Sequence, residues 1–381
     1  MEQVSLGREK RPLVHGVDTL RIAAAIWVVF GHGGFPDIGA EIGRVSPAFG
    51  KLVHSVLATS FNGAAAVVIF FIISGFCIHY PNVGKPALDW KTFLLRRACR
   101  IGIPMAIVSG IAVMLGPRYL AGVSAVFWSL YCELIYYALY PILFWSLKRV
   151  KLEHVLYGSV VASLVVLLVN SGVTVISHLG ISLTWLFCAP AWLLGALLAQ
   201  NFSFENRRIL PGSLWLWRAA AILIGVVSEF ARFHLTQYFG PLWTLVPIPL
   251  FGYFWIRDEL LAYRPSPVRG ALEAAGKGSY TLYLIHMLVL VAFASYVETW
   301  DALVLWLARS MAMAAAATAF YALVERPSHL LAQKIKLRPR GGAPVHPAPA
   351  AIITSTPSTD FDHAANAKSR VSSDQPGGDL P

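Results

Sequence analysis

Long unbroken apolar runs constrain this chain more than any other feature. Residues 160–169 read VVASLVVLLV, and stretches of the same character recur along most of the 381 residues. In a bilayer each backbone N–H and C=O needs a partner inside the protein, so a spanning segment is a helix or part of a closed barrel. Barrel strands alternate apolar and polar residues over about 10 positions, and these runs do not alternate. Charged residues make up 13% of the chain, against about 25% in a soluble domain. The mean hydropathy of +0.60 agrees. Disordered chains, fibres and cytosolic enzymes are excluded. The expected fold class is an all-α polytopic membrane protein.

Marking apolar stretches of about 20 residues gives about ten transmembrane helices. They cover residues 18–34, 56–79, 101–116, 124–147, 152–169, 175–199, 214–230, 237–256, 280–296 and 302–324. Of the 31 Lys and Arg residues, 24 fall in the N-terminal segment, alternate loops and the C-terminal segment, and 4 fall in the other loops. That asymmetry follows the positive-inside rule and places both termini in the cytoplasm. It also accounts for the net charge of +11 without nucleic acid as a partner. The first apolar stretch contains Arg21 and no small-residue cleavage site follows it, so it is expected to be a retained anchor. The expected organisation is a cytoplasmic segment over 1–17, a transmembrane domain over 18–330, and a disordered cytoplasmic tail over 338–381, rich in Pro, Ala, Ser and Thr. The four cysteines, Cys77, Cys99, Cys132 and Cys188, lack CxxC spacing and read as small core residues, with no metal site.

Ionisable groups at membrane depth cost about 2.5–3.5 kcal/mol each on the insertion scale, so their positions are informative. Arg21 and His32 are 11 residues apart. In an uninterrupted helix that puts both on one face, about 16 Å apart along the axis. Two readings stay open. Arg21 and His32 could each sit at an interface, or they could face the bundle interior, where an imidazole suits proton transfer near neutral pH. The second stretch ends in FFIISGFCIHY, where Gly75 permits close helix approach and Ser74 can bond across helices. Arg96, Arg97 and Arg100 precede the third stretch; Arg97 and Arg100 share a face if helical, and guanidiniums suit phosphate. Positive-inside charge explains them equally. The fourth stretch carries Glu133, with Tyr137 one turn later. Ser279, Tyr283 and His286 make a second polar stripe, and Glu325 and Arg326 sit at the inner boundary of the tenth stretch.

Taken together these motifs resemble the acyltransferase-3 family of integral-membrane acyltransferases over about residues 13–330. DTLRIAAAIWVVFGH is similar to the family's first helix, with Arg and His separated by ten residues. FFIISGF, RRACRIGIP, WSLYCELIYYALYP, SYTLYLIH and ERP follow in the family's order. Gly31 directly before His32, and Cys132 before Glu133, depart from the commoner pattern. On this reading no hydrolase-like domain is expected after the transmembrane domain. The resemblance implies transfer of an acyl group, commonly acetyl, from acyl-CoA to a hydroxyl of a carbohydrate or glycoconjugate, in the bacterial inner membrane.

On that reading Arg96, Arg97, Arg100 and Arg21 bind acyl-CoA (acetyl-CoA in the simplest case). His32 acts as general base, and Glu133 or Tyr137 orients it. Arg21 or Ser74 stabilises the oxyanion, while Tyr283 and His286 support the site. A covalent route through His32 or Ser74 is the alternative mechanism. A transporter or flippase of a lipid-linked or sugar substrate is the alternative function; against it stands the absence of internal repeat symmetry. Asp37 and Glu41, in the longest outer loop, could bind sugar hydroxyls, but solvated loop charge is the simpler reading.

Overall fold

The computed structural model describes residues 12–204, 209, 212–234, 241–297 and 300–335. The first eleven residues and the tail over 338–381 lie outside the described residues. Among the described residues the secondary structure is helical, with no strand. The helices are α1 (Val17–Val29), α2 (Ile38–Gly43), α3 (Pro47–Ser60), α4 (Gly63–His79), α5 (Trp90–Arg97), α6 (Ile103–Leu115), α7 (Pro117–Ser146) and α8 (Leu152–Val169). They continue with α9 (Gly180–Asn201), α10 (Ser213–His234), α11 (Ile248–Leu261), α12 (Pro267–Gly276), α13 (Ser279–Ala292), α14 (Ala302–Phe320) and α15 (Arg326–Lys334). The chain is an all-α polytopic membrane protein.

Each of the ten expected spans falls on a helix, but they are not equivalent. Seven helical segments are long and apolar enough to cross a bilayer, and an eighth is if α12 and α13, bent by 67°, count as one broken span. The remaining two, α10 and α11, fall short. The apolar part of α10 covers only Ser213–Ser228, and α11 has 14 residues, where about 20 are needed.

Three boundaries differ from the sequence reading, each for a local reason. The second span is divided at Phe61 and Asn62, because the Asn62 side chain accepts from Ala65 N at 3.0 Å and starts α4 afresh. The outer loop after α1 is not irregular; it holds the helical hairpin α2–α3. There Asp37 accepts from Ala40 N and His54, and Glu41 pairs with Arg44 at 2.6 Å and accepts from Ala302 N. Both carboxylates are structural. The third span begins at Trp90, not Ile101, because Asp89 caps α5 by accepting from Thr92 N. The arginine cluster therefore lies on the helix itself.

α4 is apolar all round and buried for most of its length, as a helix at the centre of a bundle is. Its closest partner is α9. A Cβ on Gly75 would lie 1.9 Å from the Trp192 carbonyl oxygen, and one on Gly195 would lie 1.9 Å from that of Ile72. The two backbones touch at both glycines, the small-residue packing that brings membrane helices together. α1, α7 and α11 pack around this pair. At one end of the bundle Glu273 of α12 caps α1, accepting from Gly16 N, Thr19 N and the Thr19 hydroxyl. Lys148 there donates to Pro86 O, and Tyr80 to Pro12 O. At the opposite end Arg44 pairs with Asp301, and Arg309 donates to Gly33 O.

Three wide, π-type turns interrupt the helices, at Phe30–Gly34, Ala98–Gly102 and Tyr321–Glu325. Each carries one of the ionisable residues singled out above: His32, Arg100 and Glu325. Such turns re-aim side chains out of helical phase and favour functional positions.

Candidate active site

A cavity of about 100 Å³ lies among α1, α4, the α5–α6 segment, α7 and α13. Arg21, Arg97 and Arg100 line it, with Glu133 as the one carboxylate. Arg21 has Asp18 at 3.4 Å. Arg97 lies over the rings of Phe93 and Tyr137, at 5.5 and 5.6 Å from their centroids. Among the described residues neither Arg97 nor Arg100 has a carboxylate within ion-pair distance. The cavity thus gathers more cationic than anionic groups inside a largely apolar bundle. Such a site favours an anionic ligand, because desolvated guanidiniums offer donors and no acceptor.

Glu133 is occupied on the spot. Its carboxylate accepts from the Ser74 hydroxyl at 2.9 Å and from the Tyr137 hydroxyl, and the two hydroxyls are 3.3 Å apart. Ser74 reaches it from α4, while its neighbour Gly75 packs on α9. The carboxylate therefore ties α4 to α7 and does not hold His32. The Ser74 proton is committed to it and not aimed at an oxyanion site.

His32 does not line this cavity. It stands in the wide turn after α1, at φ −102° and ψ 20°, followed by Gly33 at φ +86°, a left-handed conformation that glycine adopts without strain. The uninterrupted 100° step assumed from sequence ends at Val29. The imidazole is exposed on one side and abuts Gly63 and the ring of His286 on the others, with ring centroids 5.1 Å apart. His32 Nδ1 lies 2.8 Å from the Val28 carbonyl oxygen. A carbonyl only accepts, so Nδ1 carries the hydrogen, and Nε2 of the neutral ring presents its lone pair. The backbone, not a carboxylate, sets the tautomer.

His286 is built the same way. It is fully buried, its Nδ1 donates to Tyr283 O at 2.7 Å, and its Nε2 has no partner among the described residues. Tyr283 connects the two regions. It lines the cavity, meets Phe70 edge-on at 6.0 Å, and lies 5.7 Å from His286. Its hydroxyl donates to Val126 O at 2.8 Å, with Ser129 Oγ at 2.6 Å. Along α4 the cavity ends at Val67, one helical turn, about 6 Å, from Gly63 beside His32. Tyr283 on the cavity wall meets His286, which in turn meets His32.

The structure separates Arg96 from the other arginines. Its guanidinium donates through Nε and Nη2 to Ile335 O, at 3.1 and 3.0 Å, anchoring the end of α15. Three site residues had weaker sequence signals. Tyr280 lines the cavity and donates to Ile101 O at 2.9 Å; its place one turn before Tyr283 was the available clue. Cys77, a core residue by sequence, faces the cavity. Glu325 is fully buried and accepts from the backbone N–H and hydroxyl of Thr281, fastening the third wide turn to α13. Its other oxygen is 3.7 Å from His329 Nε2.

The acyltransferase-3 family, described as an acyltransferase domain, matches residues 14–325. The chain belongs to the acyltransferase-3 family. That match takes in both regions of the site, from Arg21 and His32 to Glu325. Comparison with curated proteins and with solved structures finds no match.

Proposed function

We propose that this acyltransferase moves an acyl group, acetyl in the simplest case, from acyl-CoA to a hydroxyl of a carbohydrate or glycoconjugate at a bacterial inner membrane. The observation that supports the reading is the cavity lined by Arg21, Arg97 and Arg100, whose Tyr283 wall leads through His286 to His32. Arg97 and Arg100, on the cytoplasmic side by the positive-inside rule, would hold donor phosphates. The cavity is too small for the nucleotide and suits the thioester arm, which reaches His32 when the Tyr283 wall opens.

The acceptor hydroxyl gives its proton to His32 Nε2 as its oxygen attacks the thioester carbonyl. The tetrahedral adduct then breaks its C–S bond. The departing sulfur takes the proton from the imidazolium, leaving an ester and free CoA thiol. Both steps use the tautomer that the Val28 carbonyl imposes. A transporter reading has no comparable support, since the family is one of acyltransferases.

His32→Ala, inserted and folded, should lose transfer by about 10²–10⁴-fold while acyl-CoA still protects Cys77 from alkylation. Near-normal turnover in that variant overturns the assignment of the base, and failure of acyl-CoA to protect Cys77 in the unmodified protein overturns the donor site.

A further inference from the structure

A second, larger hollow of about 520 Å³ runs between α1, α12, α13 and α14, open along one side. Its walls include Ile26, Leu282, Leu290, Met313, Ala314 and Ala317, and Arg309 is its one charged lining residue. Arg309 lies eight residues into α14 from Asp301, about 12 Å along the axis. It has no carboxylate partner among the described residues. Its Nη1 donates to Gly33 O at 3.2 Å, and its Nε is buried without a partner. A guanidinium with one N–H undirected stands where an isolated cation costs about 2.5–3.5 kcal/mol. Gly33 directly follows His32, so the charged end of the hollow touches the turn that carries the base.

We infer that this hollow is the acceptor site for a lipid-linked sugar. The hydrocarbon chain lies along the apolar walls, the phosphate between chain and sugar accepts from Arg309, and the sugar hydroxyl meets His32. The inference rests on the proposed acyl transfer for its meaning and narrows the acceptor to a glycolipid whose linkage is anionic.

The test uses the full chain in detergent and two photoactivatable probes, a prenyl phosphate with a diazirine in its chain and the uncharged alcohol of the same chain. The phosphate should label peptides of α1 and α14 about tenfold more strongly than the alcohol, the scale of one charge-assisted hydrogen bond. Arg309→Gln should erase that preference, and Ala314→Trp should block both probes while thermal melting stays unchanged. Equal labelling by the two probes, or a preference that survives Arg309→Gln, overturns the site and leaves only bulk lipid in the hollow. Acyl-CoA protection of Cys77, measured in parallel, keeps the two readings apart. If protection fails while the phosphate preference holds, the donor proposal falls and the lipid site stands.

Discussion

Replacing Gly75 by Ala tests how the α4–α9 crossing supports the cavity. The added Cβ would sit 1.9 Å from the Trp192 carbonyl oxygen, a distance real Cβ contacts do not reach. Relief to even 3.0 Å requires the backbones to part by 1.1 Å. The obstacle is backbone, so no rotamer change absorbs it, and the second close contact at Gly195 must open too. Overpacking of this kind costs about 1–3 kcal/mol. Ser74, next to Gly75, bonds Glu133 of α7 at 2.9 Å, so a shift of α4 would also disturb that bond. Gly75→Ala should therefore lower the melting temperature in detergent and reduce transfer together. Gly110→Ala in α6 makes the same chemical change where nothing lies within 4 Å. It should leave turnover intact and stabilise by about 0.5–1 kcal/mol. Equal melting temperatures and equal turnover for the two variants would refute the reasoning.

Arg100→Gln should raise the KM for acyl-CoA by about 10–100-fold, the worth of a hydrogen bond from a charged donor. Arg96→Gln, which loses only its hold on Ile335 O, should leave KM unchanged and lower thermal stability; steady-state kinetics and melting on both variants check the contrast. Phe70→Ala should loosen the Tyr283 wall of the cavity and raise acyl-CoA hydrolysis without acceptor, read by release of free thiol. The bonds from Val304 N and Leu303 N, with Arg44 beside them, hold the Asp301 carboxyl below its usual range. A carboxyl lowered on folding stabilises fully above its unfolded value of about 4 and loses that contribution as pH falls through the folded one. Melting measured from pH 6 to 3 should therefore fall less steeply in Asp301→Asn than in the unmodified protein.

Hydropathy, charge asymmetry and short motifs made much of this protein legible. The all-α class, helices at all ten apolar stretches, the Ser74–Gly75 crossing and the placing of Glu133 and Tyr137 on one helix side follow from properties of neighbouring residues. Solvation and helical phase are local, so sequence records them. The helix caps at Asn62 and Asp89 were also local, and their side chains carried the signal for where α4 and α5 begin.

What required the tertiary structure was the choice of partner for each polar group. Arg96 and Arg97 are adjacent and chemically identical, yet one turns to a carbonyl 239 residues away and the other to the cavity. Glu133 met a hydroxyl from α4 before any imidazole. His32 left helical phase because the chain widens after Val29, where Gly33 takes a left-handed turn and Gly31 packs on Gly63. Arg309 was only a charge within a span until the fold placed it against the turn that carries His32. A residue's type states which bonds it can make, but in a bilayer interior, where water satisfies nothing, the packing of distant helices decides which of those bonds it gets.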